Sequence, residues 1–200
     1  QKRPMNHSLV HNGINVDPFP KLIWKFKYEF PYDDIISRIA DLAKETPKNS
    51  KLEAGAAFST VAAPFDPPHT WPELHDFRKW LQGPLDFVWK HNNFKQYNTG
   101  VINSWINIHQ KNGVTLEHNH NHTPFVITAY LKLPKDSGFI EFRDPLEYHK
   151  TNTPIEPEEE LWKSIPCETN DILIFPGWLK HRTQPNLTDN DRIVLTMNIG

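Results

Sequence analysis

The sequence predicts a mainly β fold, a sandwich or barrel of short strands with helices packed on one sheet. Three observations lead there. From residue 97 onward apolar residues alternate with polar ones and do not recur at helical spacing. Gly113, Pro134 to Gly138, Asp144-Pro145, Pro166, Pro176-Gly177 and Pro185 to Asn190 cut this half into eight short segments. Before residue 97 the apolar stripes instead have helical period, which supplies the helices.

Taken in order, Leu22 to Tyr28 alternates as a strand, and Tyr32, Ile35, Ile36, Ile39 and Ala43 fall at helical spacing after Pro31. Residues 59–71 read as a proline-broken loop. Leu74, Phe77 and Leu81 suggest a second helix opened by Pro72 and interrupted at Gly83-Pro84, with Leu85, Val88 and Trp89 continuing the stripe. The expected strands then cover 101–109, 114–120, 125–133, 138–143, 161–165, 171–176, 179–184 and 191–199. Alternation assigns faces. Ile102, Ile106 and Ile108 should meet the helices, while Asn103, Trp105, Asn107 and His109 line a cavity. On the last strand Ile193, Leu195, Met197 and Ile199 oppose Arg192, Val194, Thr196 and Asn198.

One domain, 1–200, is the simplest organisation: an N-terminal segment 1–20 expected to be flexible, a helical support region 21–96, and a core 97–200. Apolar residues make up 38% of the chain and aromatic ones 12%, enough to fold a core. A net charge of -2 gives no electrostatic reason to expect nucleic acid as a partner. The one cysteine, Cys167, excludes an intrachain disulfide and fits a reducing compartment. No apolar run approaches the ~20 residues that span a bilayer, and residues 1–15 lack the apolar core of a signal peptide. A cytoplasmic protein, with no membrane partner, is the expectation; oligomeric state is not legible.

The chemistry concentrates in Glu117-His118-Asn119-His120-Asn121-His122, read with His181 and Arg192. On an extended strand His118 and His120 point to one face and can grip one ion, and imidazole suits iron, zinc, copper and nickel. The same run also reads as a polar turn without metal. Arg192 on the cavity side is costly without a carboxylate partner. That partner is either a protein acid such as Glu141 or a ligand.

Several segments resemble the 2-oxoglutarate- and Fe(II)-dependent oxygenase superfamily, specifically its prolyl-hydroxylase-like branch and related bacterial and phage oxygenases. The resemblance is carried by Ser104-Trp105-Ile106-Asn107, His118-Asn119-His120, Ala129-Tyr130-Leu131, Ser137 to Phe142, Asn170 to Pro176, His181 and Arg192 to Thr196. It covers half the chain in the right order, with His181 and Arg192 eleven positions apart. It implies a double-stranded β-helix (jelly roll) that uses Fe(II), 2-oxoglutarate and O2. Oxidative decarboxylation to succinate and CO2 would be coupled to hydroxylation of an unidentified primary substrate, a peptidyl or free amino acid by kinship.

By position His118 and His181 match the family's metal histidines. His120 stands where the family carries Asp or Glu. The resemblance then implies a His118, His120, His181 site, or one completed by Glu117, Asp144 or water; spacing and strand face favour three histidines. Neutral imidazole raises the positive charge of the site, which favours a dianionic cosubstrate, and it fills the position that relatives open for halide. Arg192 would meet the distal carboxylate of 2-oxoglutarate through its planar fork, with Tyr130, Thr196 and Asn107 as further cosubstrate contacts. Val194 stands where relatives often carry serine. Trp105, Asn107 and Trp178 are candidates for the pocket mouth, and the proline- and acid-rich stretch 144–160 for a lid.

His122 fits the rim, and His109 a structural hydrogen bond near the site. Surface roles suit His7, His11, His69, His75, His91 and His149. Two rivals remain. A cupin-type three-histidine enzyme shares the fold but has no use for Arg192, and the glutamate and glycine expected after the His-x-His pair are absent. A zinc-binding β-sandwich module would need a closed four-ligand site.

Overall fold

Alternation along Val101–His109 and Arg192–Ile199 decides the architecture, because each strand carries a largely apolar face opposite a mixed one. The computed structural model describes residues 21–45, 52–62, 66–95, 100–147 and 161–200. The N-terminal segment and most of the acid-rich stretch after Asp144 lie outside the described residues.

Eleven strands are formed among the described residues: β1 (Trp24–Lys27), β2 (Glu53–Ala54), β3 (Ala57–Ser59), β4 (Val101–His109), β5 (Val114–Thr115), β6 (Phe125–Lys132), β7 (Ile140–Arg143), β8 (Trp162–Ile165), β9 (Asp171–Pro176), β10 (His181–Thr183) and β11 (Arg192–Ile199). Two α-helices precede the main run, α1 (Tyr32–Glu45) and α2 (His75–His91). A six-stranded sheet runs β1-β9-β6-β11-β4-β3, a three-stranded one β10-β7-β8, and β2 pairs with β5. All pairings are antiparallel. This is the jelly-roll arrangement, with both helices on one face of the large sheet.

The faces divide as alternation requires. Ile106, Ile108, Ile193, Leu195, Met197 and Ile199 pack with Ile35, Leu74, Phe77, Leu81 and Val88 into one apolar core beneath the helices. At roughly 1.5–3 kcal/mol for each fully buried aliphatic or aromatic side chain, this layer dominates the attachment of the helices. Ile102 departs from the pattern and is exposed near the strand start. A second cluster, including Val126, Tyr130, Phe142, Leu173, Phe175 and Val194, fills the space between the two larger sheets.

Three local expectations differ. Gly83-Pro84 does not interrupt α2, which is continuous through Pro84. Proline costs a helix interior about 3 kcal/mol, but Leu81, Leu85, Val88 and Trp89 are buried on both sides of it and outweigh that cost. The 114–120 strand shrinks to Val114–Thr115, and His118 forms only an isolated bridge to His181. The 59–71 loop contains short 3-10 turns at Thr60–Ala62 and Pro68–Thr70.

Candidate active site

Cross-strand register places the mixed-face residues in rows. Arg192 lies opposite His109, Val194 opposite Asn107, and Thr196 opposite Trp105. On the other flank Val194 faces Tyr130 and Thr196 faces Thr128. These rows form the wall of a cavity of about 300 Å³, with His118, His120, His181 and Thr183 in the same lining. The volume is at the lower end of ligand pockets. Its rim is exposed at Val61, Asn103, Asn119 and Asn121, and its far end is buried at His109, Tyr130 and Arg192.

The three histidines converge. Each offers one ring nitrogen, and these atoms lie within 4.8 Å of one another. Backbone pairing holds two of them, because His118 N–H donates to His181 O and His181 N–H to His118 O, both at 3.0 Å. His120 N–H donates to Gly177 O at 2.8 Å. Gly177 is required there, since a Cβ would come within 2.1 Å of Thr123 O and 2.8 Å of His120 O.

Hydrogen bonding also fixes which nitrogen carries the proton. His118 Nδ1 faces Leu116 O and His181 Nδ1 faces Leu179 O, each at 2.8 Å, while His120 Nδ1 faces Asn198 Oδ1 at 2.7 Å. These oxygens can only accept, so each Nδ1 is protonated and each Nε2 presents a lone pair. Such outer contacts are what orient metal-binding imidazoles. Burial lowers the pKa of all three: His118 falls below its ordinary value, His120 to about 4 and His181 to about 3, with His118 adding to the depression of the other two. All three are therefore neutral near pH 7. His120 Nε2 is buried without a hydrogen-bond partner among the described residues, an orphaned acceptor that a cation would satisfy. The donor set fits a divalent transition metal.

The carboxylates expected as alternatives are engaged elsewhere. Glu117 pairs with Arg143 at 3.2 Å and Lys180 at 3.4 Å, and Asp144 Oδ1 accepts from Leu146 N–H. His122 is exposed with a left-handed backbone (φ 60°) and stands outside the histidine group. Trp105 stacks on His120, with ring centroids 5.7 Å apart. Trp178 is exposed and does not line the cavity.

Arg192 is 1% exposed, and no carboxylate faces it among the described residues. Glu141, the protein acid weighed against a ligand, pairs with Arg182 at 2.8 Å. Arg192 is held by neutral acceptors. Nε donates to His109 Nδ1 at 3.4 Å, one terminal nitrogen donates to the carbonyls of Ser137, Gly138 and Gln184, and the other to Thr183 Oγ1 at 3.0 Å. His109, accepting at Nδ1, donates from Nε2 to Thr115 Oγ1 at 2.8 Å, and Thr115 donates to Glu53 at 3.1 Å. Burial brings the guanidinium down to about 10, still cationic at neutral pH. Burial and Arg192 hold His109 well below the ordinary histidine value. Burial instead raises the Tyr130 hydroxyl, which stays a phenol. Another buried polar atom of the lining, Asn107 Oδ1, lacks a hydrogen-bond partner among the described residues.

Sequence reasoning missed Glu53, Thr115, Thr128 and Thr183 in this lining. Thr128, two residues before Tyr130 on β6, and Thr183, two residues after His181 on β10, had a parity signal that could have found them.

Residues 103–198 match the family model described as "Putative 2OG-Fe(II) oxygenase". The matched stretch, from β4 to β11, is similar to the 2OG-Fe(II) oxygenases. No curated protein is matched by its sequence. Among solved structures this chain is similar to HygX from Streptomyces hygroscopicus with nickel, 2-oxoglutarate and hygromycin B bound. The identity is 14% and the TM-score 0.58, over 89% of this chain and 82% of HygX. It is similar to a Pseudomonas putida prolyl-4-hydroxylase at 10% identity and TM-score 0.58, over 88% and 91%. The viral collagen prolyl hydroxylase of Paramecium Bursaria Chlorella virus-1, a 2-oxoglutarate complex, gives 14% and 0.56 over 90% and 96%. At these identities the likeness is one of fold. Fe(II) and 2-oxoglutarate are the metal and cosubstrate that the description of the matched family names.

Proposed function

We propose that His118, His120 and His181 are the protein ligands of the iron, and that Arg192, Tyr130, Thr196 and Asn107 receive 2-oxoglutarate for hydroxylation of a substrate entering at the exposed rim. The observation that carries this is the single cavity holding both a converging set of three neutral imidazoles and a buried arginine with no protein carboxylate beside it among the described residues. Residues 97–200 would act as the catalytic core and 21–96 as its support, in one domain.

The bound metal would supply the redox chemistry that couples decarboxylation to hydroxylation. The chain's own residues do the rest. Asn198 and the carbonyls of Leu116 and Leu179 keep the three Nε2 lone pairs aimed inward. Arg192 places a fixed positive charge at the buried end, where low dielectric strengthens its attraction for a carboxylate. Tyr130 adds a phenol to the same end, and Trp105 covers His120 from one side. A peptidyl or free amino acid is the substrate class we infer, on kinship with prolyl hydroxylases; location in the cytoplasm is a further part of this reading. No described helix is long and apolar enough to cross a membrane.

The decisive experiment is anaerobic reconstitution with Fe(II) followed by turnover. Succinate release should require iron and 2-oxoglutarate together. Metal-dependent activity indifferent to 2-oxoglutarate would favour the cupin-type reading, and retention of zinc without turnover would favour the binding module.

A further inference from the structure

A guanidinium has five N–H donors, and Arg192 has committed most of them. Nε–H is on His109, both hydrogens of one terminal nitrogen are shared among three backbone carbonyls, and one hydrogen of the other is on Thr183. One N–H remains for a ligand. The fork that would grip a carboxylate through two parallel bonds is therefore not available in this arrangement, so the buried end of the cavity needs a second donor.

Thr183 has one to give. Its Oγ1 accepts from Arg192 at 3.0 Å and from Thr115 N–H at 2.8 Å. A hydroxyl has two acceptor lone pairs and one hydrogen, and both lone pairs are used. The hydroxyl hydrogen has no acceptor among the described residues, and Thr183 lines the cavity beside Arg192. Accepting from a cationic guanidinium also polarises the hydroxyl and makes it a stronger donor. On the reading proposed above, we infer that Thr183 Oγ1–H is a direct donor to the distal carboxylate of 2-oxoglutarate, sharing it with the one uncommitted N–H of Arg192. Thr183 is thus a cosubstrate-binding residue supplied by β10, two positions after a metal ligand. The polar wall at this end is assembled from β11, β6 and β10 together.

The test is an anaerobic titration of 2-oxoglutarate into Co(II)-loaded protein, read by calorimetry, for the parent, Thr183→Val and Thr183→Ser. A hydrogen bond to a charged acceptor implies that Thr183→Val weakens binding by at least ~10-fold, that Thr183→Ser restores it, and that Co(II) affinity stays unchanged. 2-Oxobutyrate, which lacks the distal carboxylate, should bind the parent and Thr183→Val equally. In an Arg192→Lys background, Thr183→Val should still weaken 2-oxoglutarate binding, because direct donation does not depend on the guanidinium. Equal loss for both oxo acids, or no further loss in the Arg192→Lys background, would overturn the inference by showing that Thr183 acts through the fold or through Arg192. Failure of the parent itself to bind 2-oxoglutarate would instead overturn the oxygenase reading on which the inference rests.

Discussion

Replacing Asn198 by leucine removes the acceptor that holds His120 Nδ1–H at 2.7 Å while keeping a side chain of similar volume. The consequence for metal follows from the tautomer. With Asn198 present, Nδ1 keeps the proton and Nε2, buried and unpartnered, faces the other two histidines. Without it, the ring is free to carry its proton on Nε2 or to turn on the Trp105 face against which it is stacked. Loss of such an outer hydrogen bond typically lowers metal affinity 10–100-fold, about 1.4–2.8 kcal/mol. Competition of Fe(II) or Co(II) against a chelator of known affinity, under anaerobic conditions, reads this directly. Asn198→Asp should bind metal at least as well as the parent, since the carboxylate accepts the same bond and adds a negative charge. Parent-like metal affinity in Asn198→Leu would show that His120 is not held in the ligand set by this contact, and would refute the reasoning.

Further outcomes are expected. His118→Ala and His181→Ala should each abolish tight metal binding, whereas His120→Asp, which restores the family's usual carboxylate, should retain it; both are read by the same competition assay. Arg192→Ala should weaken 2-oxoglutarate binding by at least ~10-fold and also lower the thermal midpoint, because three backbone carbonyls lose their donor. Glu141→Gln should leave 2-oxoglutarate affinity unchanged by calorimetry, since Glu141 serves Arg182. For the apoprotein, His120 and His181 bind protons less readily folded, at about 4 and 3, than unfolded, near 6.5. Their contribution to stability is therefore complete above pH ~6.5 and lost as pH falls through the folded values. Thermal midpoints measured without metal between pH 7 and 4 should decline accordingly, and His181→Phe should flatten the decline.

Much of this was legible because a period of two is hard to disguise. The faces of β4 and β11, and with them the placement of Asn107, His109, Arg192 and Thr196 in one cavity, follow from alternation alone. The resemblance marked His118 and His181, and spacing added His120. What escaped has identifiable physical causes. Pro84 reads as a helix breaker because propensity is local, whereas the burial of Leu81, Leu85 and Val88 that overrides it is tertiary. The segment around His118 looks like strand, yet its backbone bonds go to one isolated bridge with His181 and one bond to Gly177 and form no ladder. β2 and β3 are too short to carry a pattern. The state of Arg192 was least legible of all, since carbonyls of Ser137, Gly138 and Gln184 are invisible to side-chain chemistry.

The reciprocal bonds between His118 and His181 have one more consequence. Two histidines 63 positions apart in the chain are fastened backbone to backbone, so their spacing is a property of the sheets and not of any ion. In small domains whose ligands hang on otherwise loose segments, metal and fold are inseparable, and chelation unravels the chain. Under the ligation proposed above, the cation would be a guest in a finished frame. Occupancy then becomes a question of supply and competition among divalent ions in the surroundings, and the order of affinities among first-row metals would decide which ion is found there unless the cell controls what it delivers.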